Sequence, residues 1–261
     1  MTVVAELSAF IDRLATAASE AIMPHFRAGT PVANKDTERF DPVTVADRSA
    51  EQAMRELISR HYPGHGVIGE EFGSENPDAE FVWVLDPIDG TRSFITGVPV
   101  WGTLIGLKCA GEPILGMMAQ PFTGERFAGD GKRAWYTGPG GARTIVSRPC
   151  AALAAASLFT TTPALFAGTD RAAYDGVEAV VRLARYGCDC YAYCMVAAGN
   201  ADLVIEAGLQ TYDIVALIPI LKGAGGNLTD WQGGPATGGG RVVASGDRRL
   251  HEIVLAKLAN G

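Results

Sequence analysis

Apolar residues recur at helical spacing through the first 27 positions, with Val4, Leu7, Ile11, Leu14, Ala18 and Ile22 on one face and Pro24 near the end. That period predicts an amphipathic helix over residues 3–27. A polar loop, Gly29–Thr44, separates it from a second helical pattern over Asp47–Tyr62 carried by Ala50, Met54, Leu57, Ile58 and His61. From Val67 the period shortens: Val67–Ile68, Phe81–Leu85, Gly102–Lys108, Ile114–Ala119 and Glu125–Ala128 are short β-branched runs punctuated by Gly and Pro. Such runs predict a meandering, largely antiparallel sheet.

Beyond residue 150 the pattern alternates. Strands are expected at Ser157–Thr161, Asp202–Glu206 and Arg241–Ala244, and helices at Arg171–Leu183, Ala192–Ala198, Tyr212–Gly223 and from Asp247 onward. The Gly-rich stretch Gly233–Gly240 reads as a surface loop. There is no internal repeat. The change of texture predicts two subdomains, 1–150 and 151–261, joined near 145–155.

Composition narrows the classes. A chain of 261 residues is long enough to bury a sizeable core, and 29 acidic against 22 basic residues, a net charge of -7, argue against a diffuse basic surface for nucleic acid. The longest uncharged stretch, Pro149–Thr169, is broken by Pro163 and rich in Ala, Ser and Thr, so no membrane span is expected. The start, MTVVAELSAFIDRL, places Glu6 and Asp12 where a secretory signal would need a basic region ahead of an apolar stretch. With five cysteines, an odd number, a disulfide framework is not expected, and the compartment reads as the reducing cytoplasm. Cys188, Cys190 and Cys194 lie far from any histidine and read as small buried thiols rather than zinc ligands.

Carboxylates carry the chemistry. An apolar strand ends in Asp86, Pro87 turns the chain, Asp89 follows three residues later, and Gly90-Thr91 opens a short helix. Acids this close repel unless a cation sits between them, and an all-oxygen set favours Mg²⁺ or a similar hard ion. The helix start adds N–H groups that attract an anion such as phosphate. The plainer readings are a hairpin turn for Asp89-Gly90 and an N-cap for Asp86. Two more acids join the set. They are Glu70, after Val67–Ile68, and Asp213, which could equally be a helix-start acid favoured by the dipole.

On these residues the chain resembles the inositol monophosphatase family of Mg²⁺-dependent, lithium-sensitive phosphatases. Asp86-Pro87-Ile88-Asp89-Gly90-Thr91 with Phe94 is similar to the family's first signature, and Gly69-Glu70-Glu71 stands at its metal-binding glutamate. Tyr212-Asp213 through Gly225-Gly226 resembles the second signature, with Tyr212 where the family usually has Trp. Lys35 and the Asp41–Asp47 segment extend the likeness over nearly the whole chain. The resemblance implies an αβαβα layered sandwich of α/β class, a homodimer, and a site with two or three Mg²⁺ ions. It assigns Glu70, Asp86 and the Ile88 carbonyl to the first ion, Asp86, Asp89 and Asp213 to the second, and Glu70 with Asp47 to a weaker third. It implies a metal-activated water bonded by Thr91, with Asp47 orienting Thr91, and a leaving alkoxide stabilised by the second ion. Gly90 lets backbone amides approach the phosphate.

Specificity is expected from the second half, where Arg185 to Tyr193 precedes Glu206. Members resembling histidinol-phosphate phosphatase carry an acid at the position of Asp189. An ammonium and imidazole on the substrate would be met by Asp189 and Glu206. Asp189 could instead cap the following helix or pair with Arg185. Tyr191 and Tyr193 could flank an imidazole or belong to the core. The expected reaction is hydrolysis of a small phosphate ester, with histidinol phosphate first and inositol 1-phosphate second. Fructose 1,6-bisphosphate and nucleotide 3′-phosphates come after these. The reading of a different class is a catalytically silent metal or sugar-phosphate binder.

Overall fold

The structure, a computed structural model, describes residues 3–29, 31–34 and 42–259. Helix α1 (Val3–Ile22) buries Leu7, Ile11, Leu14, Ala18 and Ile22, as the periodicity requires, and a 3₁₀ turn at Met23–His25 carries Pro24. The expected polar loop holds two short paired strands, β1 (Val32–Asn34) and β2 (Pro42–Thr44). Lys35 and Asp41 lie outside the described residues. Helix α2 (Val45–His61) is closed by a capping box in which Thr44 and Asp47 satisfy each other's backbone and hydroxyl donors.

Next come β3 (Gly66–Gly69), β4 (Gly73–Glu75), β5 (Phe81–Asp89), the five-residue helix α3 (Thr91–Ile95), β6 (Gly102–Cys109), β7 (Glu112–Gln120), β8 (Glu125–Gly129), β9 (Ala134–Gly138) and β10 (Gly141–Ile145). They form one sheet ordered β10-β9-β8-β7-β6-β5-β3-β4, antiparallel except where β3 runs alongside β5.

The remaining elements are β11 (Ser157–Thr160), α4 (Gly168–Glu178), β12 (Leu183–Tyr186), α5 (Asp189–Ala197), β13 (Leu203–Leu209), α6 (Thr211–Ile214), α7 (Leu217–Gly223), β14 (Asn227–Asp230), β15 (Gly240–Ser245) and α8 (Arg248–Leu258). The second sheet is ordered β12-β11-β13-β15-β14.

Three apolar layers stack these parts into an αβαβα sandwich. α1 and α2 cover one face of the large sheet through Phe10, Met54, Trp83 and Leu107. α5 and α7 fill the space between the sheets, in a core that draws Val84, Leu104 and Phe127 from the first half and Tyr193, Val204 and Ile220 from the second. α4 and α8 cover the outer face of the small sheet.

Two helix expectations need correction. Tyr212–Gly223 is two helices, because Pro219 has no N–H for the Val215 carbonyl four residues back and its ring crowds that turn. Arg171–Leu183 stops at Glu178. Val180 and Val181 then leave the helix, and Arg182 N–H donates to the Ala156 carbonyl as Leu183 enters β12. The α6–α7 break lies hard against the large sheet. A Cβ at Gly116 would sit 1.9 Å from the Ala216 carbonyl oxygen and one at Gly129 2.5 Å from that of Pro219. Glycine there lets this segment approach the sheet.

Candidate active site

β5 delivers two acids to one side of the sheet by breaking its own alternation. Asp86 pairs with Leu104 and Asp89 with Gly102, so the bulge between them turns Asp89 from the face that strict alternation would give it. Thr103 Oγ1 fixes the bulge by donating to the Pro87 carbonyl at 2.8 Å. Asp213 arrives from α6, where its Oδ2 accepts the Gln210 N–H at 2.6 Å. Carboxylate oxygens of Asp86, Asp89 and Asp213 lie within 4.8 Å of one another. Glu70 stands at the end of β3, its N–H bonded to the Leu85 carbonyl at 3.2 Å, and its side chain meets Asp86. Asp47, buried at the start of α2, also feels the charge of Glu70.

Within the cluster each acid faces other acids. Burial raises Asp86, which is 2% exposed, well above the usual carboxylate range, and Glu70, Asp89 and Asp213 push it further. Burial likewise raises Asp89, with Asp189 and Asp213 adding to it. Asp213 is pushed up to about 7, first by burial and then by Glu70, against the Gln210 amide. What opposes these shifts is the backbone amides of Cys190 and Gln210, the Cys190 thiol, and a hydrogen bond between the Asp86 and Asp213 carboxyls. A buried, all-oxygen donor set in this state fits a hard divalent cation, whose charge inverts the local sign. Among the described residues it is the one such group of three.

Around the cluster, Thr91 Oγ1 donates to the Ile88 carbonyl at 3.1 Å, while the Asp47 carboxylate accepts from the Thr44 N–H and hydroxyl. Gly90 turns the chain into α3 at φ 84°, and a Cβ there would lie 2.7 Å from Asp189 Oδ2. α3 is too short for a large macrodipole, so what it offers an anion is the backbone N–H groups of its first turn.

Asp189 opens α5 with φ 43°, a left-handed conformation that costs a non-glycine residue roughly 1–2 kcal/mol. Its carboxylate accepts from Ser93 Oγ at 3.0 Å and Thr161 Oγ1 at 3.3 Å. The cation acting on it is Arg92 rather than Arg185, which instead acts on the thiol of Cys188. Burial still raises Asp189. Thr161 also donates its N–H to Glu206 Oε1 at 2.7 Å, and its hydroxyl, with a single proton between the two carboxyls, lies 3.0 Å from that same oxygen. Glu206 is buried and pushed up to about 8 by that burial.

Several members of this neighbourhood are not legible in the sequence. Ser93 and Thr161 join the two halves through Asp189, and the Cys190 N–H donates to Asp89 Oδ2 at 2.6 Å. Tyr191 Oη donates to Glu125 at 2.6 Å, and Tyr193 is buried in the central core. Cys190 and Cys194 are buried thiols, as expected, and Cys188 is half-buried.

The family model described as the inositol monophosphatase family matches residues 4–261. The chain belongs to the inositol monophosphatase family. The chain is 44% identical to a chloroplastic bifunctional phosphatase of Arabidopsis thaliana, over 95% of this chain and 73% of that protein's length. A histidinol-phosphatase of Mycobacterium tuberculosis is 37% identical over 84% of this chain and 85% of its own. Among solved structures, an inositol monophosphatase from Zymomonas mobilis superposes with a TM-score of 0.88 at 40% identity, covering 99% of this chain and 100% of that one. The layered sandwich is thus the inositol monophosphatase fold, and the chain is a phosphatase of that family. No helix among the described residues is long and apolar enough to cross a membrane.

Proposed function

We propose that the protein hydrolyses L-histidinol phosphate to L-histidinol and phosphate. The observation that carries this reading is the chain Asp189–Thr161–Glu206, in which one threonine hydroxyl lies 3.3 Å from one carboxylate and 3.0 Å from the other, beside the acidic cluster. Two further acids past the metal-type set suit a cationic alcohol and give a neutral polyol little. Glu206, pushed up to about 8, would hold a proton at neutral pH until an ammonium or imidazolium arrives. The name histidinol-phosphatase among its relatives supports the same choice. Inositol 1-phosphate is the second reading, supported by the name of the superposable Zymomonas protein.

In this reading Asp86, Asp89 and Asp213 hold Mg²⁺ with Glu70 and the Ile88 carbonyl. When bound, the ions supply a water of lowered pKa and positive charge for the phosphoryl and leaving oxygens. The Thr91 hydroxyl hydrogen-bonds to the Ile88 carbonyl, which turns the lone pairs of Thr91 Oγ1 outward to accept from the attacking water and so to orient it toward phosphorus. The N–H groups of the first turn of α3 receive phosphate oxygens, and Gly90 keeps that approach open. Asp189 and Glu206 orient the alcohol portion.

Purified protein with Mg²⁺ should release phosphate from histidinol phosphate faster than from inositol 1-phosphate or fructose 1,6-bisphosphate, and EDTA should stop the reaction. Release from none of the three would refute the enzyme reading and leave a silent binder. A preference for inositol 1-phosphate, unchanged in Asp189→Ala, would overturn the substrate assignment alone.

A further inference from the structure

Helix α2 carries a carboxylate that belongs neither to the acidic cluster nor to the surface. Glu51, one turn beyond Asp47, is 0% exposed. Its Oε2 accepts the Glu71 N–H at 2.7 Å, and its Oε1 accepts the Phe72 N–H at 3.2 Å and Arg55 Nε at 2.8 Å. Gly69 makes room for it, since a Cβ there would lie 2.0 Å from Glu51 Oε1. Arg55 in turn donates to the Gly73 carbonyl and lies 3.7 Å from Glu75, so both ends of the β3–β4 turn are tied to one helix face. On the opposite side the Glu70 N–H is bound to the carbonyl of Leu85, the residue before Asp86.

Three successive backbone N–H groups, at Glu70, Glu71 and Phe72, are therefore held from two directions. Between these anchors the Glu70 side chain is delivered to Asp86 and Asp47, both of which respond to its charge. We propose that Glu51, braced by Arg55, is a positioning residue that fixes the Glu70 turn and thereby sets the affinity of the acidic cluster for divalent cations. The proposal rests on reading that cluster as a cation site. Substituting an amide for the carboxylate keeps the volume but points an NH₂ either at the Glu71 N–H or at the Phe72 N–H and the Arg55 guanidinium together. One brace of the turn is then lost.

The test uses the full chain as wild type, Glu51→Gln and Arg55→Met. Two quantities are measured: the Mg²⁺ concentration that half-saturates the rise in Tm, and hydrogen exchange at the Glu71 and Phe72 amides. Partners that orient a metal ligand typically change metal affinity by about 10–100-fold. Glu51→Gln should raise the half-saturating Mg²⁺ by that factor and speed exchange at both amides, with turnover at saturating Mg²⁺ within about threefold of wild type. Arg55→Met should do the same more weakly, and it serves as the test if Glu51→Gln does not fold. A lower metal-free Tm with unchanged Mg²⁺ half-saturation would overturn the proposal by making Glu51 merely structural. Unchanged exchange would overturn it whatever the metal does. A wild type that shows no Mg²⁺ response, with exchange still faster in Glu51→Gln, would instead bring down the cation reading and leave Glu51 as a brace of the turn alone.

Discussion

Two sets of buried acids in this molecule show opposite electrostatics. Asp202 and Asp247 fasten the segment around residue 150 to the small sheet. Asp202 receives Arg148 through two bonds of 2.6 and 2.7 Å together with the N–H and hydroxyl of Ser157. Although burial opposes it, that carboxyl lies below its usual range because Arg148 and Ser157 hold the charged form. Asp247 is lowered too, by Arg249 and by backbone N–H groups including that of Cys150. Asp86, 2% exposed like Asp202, is raised instead, and so are the half-buried Asp89 and Asp213, first by burial and then by neighbouring acids. Burial alone does not tell a structural carboxylate from a ligand. The identity of the cation does: a guanidinium supplied by the chain in one set, an ion supplied from outside in the other.

Breaking this contrast should give opposite signs in the two regions. Asp89→Asn should cut phosphate release on the order of 10³-fold by removing a ligand. In EDTA the same variant should melt above wild type, because one of the mutually repelling acids is gone. A melting point below wild type in EDTA would refute the account of the cluster. Asp202→Ala should do the reverse, costing about 1–3 kcal/mol in denaturant titration while turnover per folded molecule stays at the wild-type level. It leaves Arg148 and the Ser157 N–H without their acceptor.

The third expected effect is a pH dependence one helical turn from Asp247, whose carbonyl accepts the His251 N–H at 3.0 Å. His251 is buried between Ser245 and Thr229, each 2.9 Å from a ring nitrogen, and burial lowers it to about 4. The unfolded chain takes up this proton near pH 6.5 while the folded chain resists it. Stability present above pH 6.5 is therefore lost progressively as the pH falls toward 4, by at most about 3 kcal/mol. Urea midpoints between pH 7 and 4.5 should fall less steeply in His251→Gln than in wild type, and equal slopes would refute the assignment. The smallest effect is that of ligand addition. Mg²⁺ at a hundred times its dissociation constant should stabilise wild type by about 2.7 kcal/mol and stabilise Asp86→Asn far less, as followed by Tm.

Legibility in the sequence followed the range of the interaction. Asp86, Asp89, Gly90 and Thr91 sit within six residues, so a strand end, a proline turn and a helix start are enough to bring them together. Asp213 was visible as an acid opening a helix, and Pro219 in the same stretch already carried the reason that helix divides. The strands β1, β2, β4, β9, β10, β12 and β14 were not marked out. Each is only three to five residues long, too short for a period to stand out, and they exist because a neighbour offers its ladder. Glu51, at helical spacing from Asp47 and Arg55, carries no mark of burial in the sequence, yet it is buried, because the β3–β4 turn folds down onto it.

By itself, the sequence determined the family, the order of the main elements and the acids that cluster, since each depends on contiguous residues. The tertiary structure decided which acids share a cation and which already have one. It also decided that Asp189 faces Ser93 and Thr161 rather than Arg185, and that Thr161 links Asp189 to Glu206. Those pairings join residues 28 to 96 positions apart, and only the stacking of two sheets around one shared core brings them within hydrogen-bonding distance.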